Sequence, residues 1–156
     1  SIAVKVGKRR HAFVRLRPGL AEFLQEAAKH FEIFFFTASS EFYANQIIDI
    51  ISPNTPKDHR LFRKSCVNLY GYPVKDLTLI KRPMEHILLI DDVHGSALLQ
   101  PDNLVHIVPW NGSSDDNVLL TQLLPLLNQI KFEPNLPLAY HSIIGCNQYH
   151  SLNTFG

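Results

Sequence analysis

The stretch Glu32-Ile33-Phe34-Phe35-Phe36-Thr37-Ala38-Ser39-Ser40 decides the fold class. Four apolar residues run together without alternation, so the segment is expected to be buried on both faces, as strands of parallel sheets are. It ends in a hydroxyl and a turn of small residues. Glu41 to Ile51 follows with helical spacing, placing Phe42, Ile47, Ile48 and Ile51 on the inner side. A buried strand that hands over to a helix is the repeating unit of an α/β sheet. A second such unit lies downstream, where His86-Ile87-Leu88-Leu89-Ile90 runs into Asp91-Asp92 and a short helix is expected over Ser96 to Leu99.

Upstream, Val4 to Val6 and Ala12 to Leu16 read as extended segments around a Gly7-Lys8-Arg9-Arg10 turn. Pro18 then suits the first turn of a helix, whose inner stripe is Leu20, Phe23, Leu24, Ala27 and Phe31. Leu61 to Tyr70 reads as extended, Gly71-Tyr72-Pro73 turns the chain, and Val74-Lys75-Asp76-Leu77 follows, a hairpin-like insert. Val105 to Val108 is a further strand. Ser113 to Asp116 caps a last helix over Asn117 to Ile130, with a local kink expected at Pro125. The fold class is therefore α/β with a mostly parallel sheet. Residues 1–131 form the domain, and 132–156, rich in Asn and Pro, read as an irregular tail.

A chain of 156 residues suits one domain. A net charge of +1 argues against direct nucleic-acid binding, which calls for a basic excess. No apolar run approaches the ~18 residues of a membrane span. The histidines are scattered and read as surface or satisfied core residues. Cys66 and Cys146 match no metal-ligand spacing, which points to a reducing compartment. An intracellular location, nuclear or cytoplasmic, is the expectation.

Ligands of open parallel sheets bind at the carboxyl ends of the strands. Thr37 stands at one such end and Asp91-Asp92 at another. A hydroxyl before a helix start suits an anion. Paired carboxylates suit a hard cation such as Mg2+. Lys75 can neutralise a transferring phosphoryl group. Each feature has a commoner structural role: a helix cap for the threonine, a turn cap for the aspartates, a solvated surface charge for the lysine.

The order of motifs carries more weight. Phe35-Phe36-Thr37-Ala38-Ser39, Leu61-Phe62-Arg63-Lys64-Ser65-Cys66, Val74-Lys75-Asp76-Leu77 and Ile87-Leu88-Leu89-Ile90-Asp91-Asp92 occur in sequence, preceded by Arg17-Pro18-Gly19-Leu20-Ala21-Glu22-Phe23-Leu24. This series resembles the small C-terminal-domain phosphatases of the haloacid dehalogenase superfamily, from about Val4 to Ile130. The resemblance implies a three-layer, Rossmann-like parallel sheet with a small β-hairpin insert. It implies a Mg2+-dependent phosphatase acting on phosphoserine and phosphothreonine in proteins, including the tail of RNA polymerase II. Thr37 and Lys75 would then hold the phosphate, Arg63 and Ser39 the phosphorylated side chain, and Asp91 and Asp92 the metal. The family's usual pair at that last position is Asp-Asn, so Asp-Asp is a mild variation.

That family's chemistry starts from an Asp-x-Asp motif ending the first, central strand. Its first carboxylate attacks phosphorus to form an aspartyl-phosphate, and its second acts as general acid and then base. Asp49, Asp58, Asp76, Asp91, Asp92, Asp102, Asp115 and Asp116 provide no such motif. The first strand is thus expected to be missing and the sequence to be a truncated record of an active phosphatase. Two alternatives stay open. One is an inactive pseudophosphatase serving as a protein-binding module, a class with precedent in mitochondrial import. The other is a structural remnant whose open sheet edge invites strand addition.

Overall fold

The computed structural model describes the backbone of residues 1–153 and the side chains of residues 1–146. The strands are β1 (Ile2–Lys5), β2 (His11–Val14), β3 (Phe35–Phe36), β4 (Arg60–Leu61), β5 (Val67–Leu69), β6 (Tyr72–Val74), β7 (Leu89–Asp91) and β8 (Leu104–His106). The α-helices are α1 (Leu20–Ala27), α2 (Glu41–Ile51), α3 (Leu124–Ile130) and α4 (Leu136–Asn153). β1–β2 and β5–β6 are antiparallel hairpins, and the second is the insert expected between the two βα units. The parallel pairs are β3–β4, with Phe36 opposite Leu61, and β7–β8, with Asp91 opposite His106.

The two parallel pairs are not hydrogen-bonded to each other. Side-chain packing joins them instead. Ile33, Leu88, Ile90 and Ile107 lie against a core of Phe23, Ala27, Val105, Leu119, Leu123, Leu127, Ile130, Leu136 and Tyr140, contributed largely by α1, α3 and α4. Phe34 and Leu61 pack with Ile87, Leu89 and Leu104 and the buried Leu77 and Ile80. Alternate residues of the β7 segment thus serve opposite clusters, as the period of a pleated strand requires. Helix α2 rests through Ala44 and Ile48 on Phe62 and Phe35.

Ile33, Phe34 and Phe35 each pack against a different cluster, but each of residues 33–36 is only half-buried and just two residues pair as strand. Pairing is limited because β4 offers two residues on one edge, while the other edge of β3 has no strand partner among the described residues. The hairpin turns at Tyr70-Gly71, where Tyr70 has φ 52 and Gly71 φ 81, and Tyr72 and Pro73 belong to the returning strand. Pro125 takes effect as a π-helical turn over Leu119–Leu123 leading into α3. Its ring would clash with the carbonyl four residues earlier, and a wider turn relieves that clash.

The expected irregular tail is a helix over residues 136–153. α4 occupies Leu136–Asn153, and Leu136 and Tyr140 are buried in the main core. Leu136, Tyr140, Ile143 and Ile144 form a stripe at helical spacing. The Asn and Pro that suggested a loop are start signals. The Asn135 side chain accepts from the Leu138 N–H at 3.0 Å, and Pro137 sits in the first turn, where no N–H is needed. The expected boundary at residue 131 therefore divides one packed unit. Residues 154–156 lie outside the described residues.

Candidate active site

Thr37 directly follows β3, and its N–H continues the ladder to the Leu61 carbonyl at 3.0 Å. Its Oγ1 accepts from the Ser39 N–H at 3.0 Å, which folds the loop back on itself. With that lone pair engaged, the hydroxyl proton is free to be donated outward. Ser40 caps α2 by accepting from the Tyr43 N–H, so the positive end of an eleven-residue helix stands behind the loop. Arg63 secures the far side: its backbone N–H donates to the Ser39 carbonyl and its Nε to the Ala38 carbonyl, both at 2.9 Å. Thr37, Ser39 and Arg63, named separately from sequence, thus belong to one cluster.

Lys75 leaves the end of β6 and reaches Asp91, Nζ to Oδ2, at 2.5 Å. The lysine side chain is 13% exposed and that of Asp91 7%. The other Asp91 oxygen accepts from the Val93 N–H at 2.9 Å. A buried carboxylate needs such partners, since an unpaired charge there costs several kcal/mol, roughly. Asp92 is exposed, and its backbone carbonyl meets His106 Nε2 at 3.0 Å. His106 in turn stacks on His94, with ring centroids 3.9 Å apart. This imidazole pair beside the aspartates is not legible in sequence, because the two residues lie on different elements and form no spaced motif.

Cys66 packs beneath the Thr37 loop. Its Sγ lies 3.8 Å from the Thr37 carbonyl and 3.8 Å from that of Phe62. Burial pushes the thiol above its ordinary range, against the opposing charges of Lys75 and Arg63. It therefore stays a neutral thiol at physiological pH. Two further contacts were missed by sequence reasoning. The Lys75 N–H donates to the Ser96 carbonyl at 2.9 Å. The Tyr72 ring lies so close to Gly95 that a Cβ there would stand 2.6 Å from it. The hairpin that carries Lys75 is thereby clamped to the turn that follows Asp91-Asp92. A groove of about 280 Å3, lined by Ala38, Arg63, Cys66, Asn68, Gly71 and Pro73, opens beside the Thr37 loop.

Among the described residues no three His, Cys, Asp or Glu side chains converge as a metal cage. That excludes a four-ligand zinc site among them. It is compatible with Mg2+, which takes one or two carboxylates and keeps water for the rest of its octahedron. Asp91 and Asp92 match that donor count.

The family description "NLI interacting factor-like phosphatase" matches residues 1–137. CTD small phosphatase-like protein 3 of Caenorhabditis elegans is 41% identical over 125 residues, covering 80% of this chain and 42% of that protein. Phosphatase PSR1 of Saccharomyces cerevisiae is 34% identical over 136 residues, covering 86% of this chain and 32% of its own length. The mitochondrial import inner membrane translocase subunit TIM50 of Kluyveromyces lactis is 32% identical over 115 residues, covering 73% of this chain and 24% of that protein. The chain thus spans well under half the length of these relatives. Among solved structures, Fcp1, described as an essential RNA polymerase II CTD phosphatase, superimposes with a TM-score of 0.52 at 22% identity, covering 81% of this chain and 40% of that one. That likeness establishes the haloacid-dehalogenase-like α/β fold. By its matched length and its relatives, the chain belongs to the NLI interacting factor-like phosphatase family.

Proposed function

We propose that these residues form the phosphate- and metal-binding part of a Mg2+-dependent phosphatase acting on phosphoserine and phosphothreonine in proteins. The observation that carries this reading is the Lys75–Asp91 pair at the carboxyl end of β7, a strand packed through the Ile87 and Leu89 cluster against Phe34 and Leu61 at the β3–β4 pair that ends in Thr37. Thr37 donates its hydroxyl proton to a phosphate oxygen, assisted by the N-terminus of α2. Lys75 neutralises a second oxygen. Asp91 and Asp92 would hold Mg2+, which supplies charge neutralisation for the phosphoryl group in flight. Ser39 and Arg63 border the phosphorylated side chain.

In this reading the attacking carboxylate comes from residues other than these 156. It forms a P–O bond as the bond to the substrate oxygen breaks, and a second carboxylate gives that oxygen its proton. Water then hydrolyses the aspartyl-phosphate, releasing phosphate and restoring the carboxylate. Among the described residues β3 and β7 each pair along one edge only, which leaves an edge on each that a further strand could extend. The tail of RNA polymerase II, named for Fcp1, is the first substrate to test.

The test uses the full natural protein and measures hydrolysis of an aryl phosphate and of phosphoserine peptides with and without Mg2+. Thr37→Ala is expected to lower kcat by about 100-fold, the scale for losing one donor to a developing anion. Turnover no higher than in that variant, or independent of Mg2+, would sink the reading. A second reading is then favoured by the similarity to TIM50: a binding module that holds protein segments without turnover. Its signature is saturable phosphopeptide binding with no phosphate release.

A further inference from the structure

We propose that the groove beside Thr37 receives an acidic side chain flanking the phosphorylated residue of the substrate, with Arg63 as its reader. The inference rests on the phosphatase reading and narrows its substrate class to phosphoresidues with an adjacent Asp or Glu. Position is the first argument. The groove begins at Ala38, next to Thr37, and Cys66 in its wall lies 3.8 Å from the Thr37 carbonyl. An extended peptide advances about 3.3 Å per residue, so a side chain next to the phosphoresidue reaches this space.

Charge is the second argument. Arg63 Nε is fixed to the Ala38 carbonyl at 2.9 Å, while its two terminal nitrogens have no acceptor among the described residues. Its neighbours are neutralised: Arg60 pairs with Asp49 at 2.7 Å and Lys64 with Glu41 at 2.6 Å. No acidic residue lines the groove, and Asn68, exposed and without a hydrogen-bond partner among the described residues, offers a further donor. A guanidinium anchored through Nε keeps its end-on pair of N–H groups parallel, the geometry that a carboxylate accepts in two bonds. The other cation of the site, Lys75, is a point charge already set against Asp91, so the two basic groups divide the substrate's two anions between them.

The experiment uses the full natural protein with phosphoserine peptides that differ only in carrying Glu or Gln beside the phosphoresidue. It reads kcat/KM for the esters and Kd for their non-hydrolysable phosphonates. Glu is expected to be preferred by about tenfold, the scale of one charge-assisted bidentate contact. Arg63→Gln should abolish the ratio, and Arg63→Glu should turn preference toward a Lys-flanked peptide. Asn68→Asp, which leaves the Arg63 anchor intact, should also reduce the ratio and guards against an Arg63 variant that fails to fold. A ratio near one in the unaltered protein overturns the proposal. So does an Arg63→Gln loss that is equal for both peptides, since Arg63 would then serve the phosphate itself. Absence of turnover together with a Glu preference in phosphonate binding would overturn the phosphatase reading while upholding the groove.

Discussion

The two parallel strand pairs hold their functional residues by opposite means. At the end of β3, Thr37, Ser39 and Ser40 are fixed by neutral hydrogen bonds within their own loop and to Arg63. At the end of β7, Asp91 is fixed by a charge, the ammonium of Lys75. A neutral loop keeps a donor available whether or not an anion is bound. A buried carboxylate cannot be left alone, so its counterion is part of the fold as well as part of the site. The proposed phosphate side is therefore preorganised, and the carboxylate side is self-compensated.

The sharpest way to break this contrast is to remove the counterion. Lys75→Met keeps much of the side-chain volume and leaves Asp91 buried and unpaired. Its expected cost is about 3 kcal/mol of unfolding free energy, measured by urea titration, because breaking a buried pair is far more damaging than losing an exposed one. Adding Asp91→Leu should recover most of that loss. A cost under ~1 kcal/mol would place the pair in the class of weak surface bridges and dissolve the contrast.

The clamp between hairpin and turn comes next. Gly95→Val would drive a side chain into the Tyr72 ring, and overpacking of this kind costs about 2 kcal/mol. Tyr72→Ala in the same chain should return part of it, and the double-mutant cycle measures the coupling. The same substitution should raise the Mg2+ concentration needed for half-maximal activity, because the displaced turn follows Asp91-Asp92 directly. Full additivity of the two changes would mean that the hairpin does not steady the carboxylate side.

What sequence could show follows from range. Helix α2 and the β1–β2 turn are local patterns, and they stand where the helical spacing and Gly7 put them, although Phe42, expected on the inner side, is 59% exposed and Ala44 is buried beside Ile48 instead. The insert was legible as a hairpin, but its turn was placed one residue late, because Tyr70 adopts a left-handed conformation that its residue type does not advertise. The end of the chain was misread for a similar reason: Asn135 and Pro137 are turn residues by type and helix-start residues by position. Within the site, residues at strand ends could be named, but their partners could not. Cys66 touching the Thr37 carbonyl, His106 on the Asp92 carbonyl and Tyr72 against Gly95 are separated in sequence and carry no period.

The smallest effect tests whether the carboxylate side is built on charge beyond its one buried pair. Asp76 follows Lys75 and caps the turn over Leu77–Ile80, two of whose residues are buried. It accepts from the Thr78 hydroxyl at 2.8 Å, from the Thr78 N–H at 3.0 Å and from Gln100 at 3.0 Å. The Thr78 hydroxyl above all holds its carboxyl below the ordinary value of 3.8, with burial opposing. A depressed carboxyl stabilises the fold above its unfolded pKa, and the contribution disappears as pH falls through the folded value. Asp76→Ala should therefore cost about 1 kcal/mol at neutral pH, the usual scale of a lost cap. The difference between the two proteins should hold down to about pH 5 and close below pH 4, roughly, as Asp76 protonates. Glu32 and Asp116, whose carboxyls are also lowered by arginine partners, are present in both proteins and cancel in the difference. A gap that stays constant into acid would mean that Asp76 acts through shape alone and adds no charge to the tie between Lys75 and Asp91.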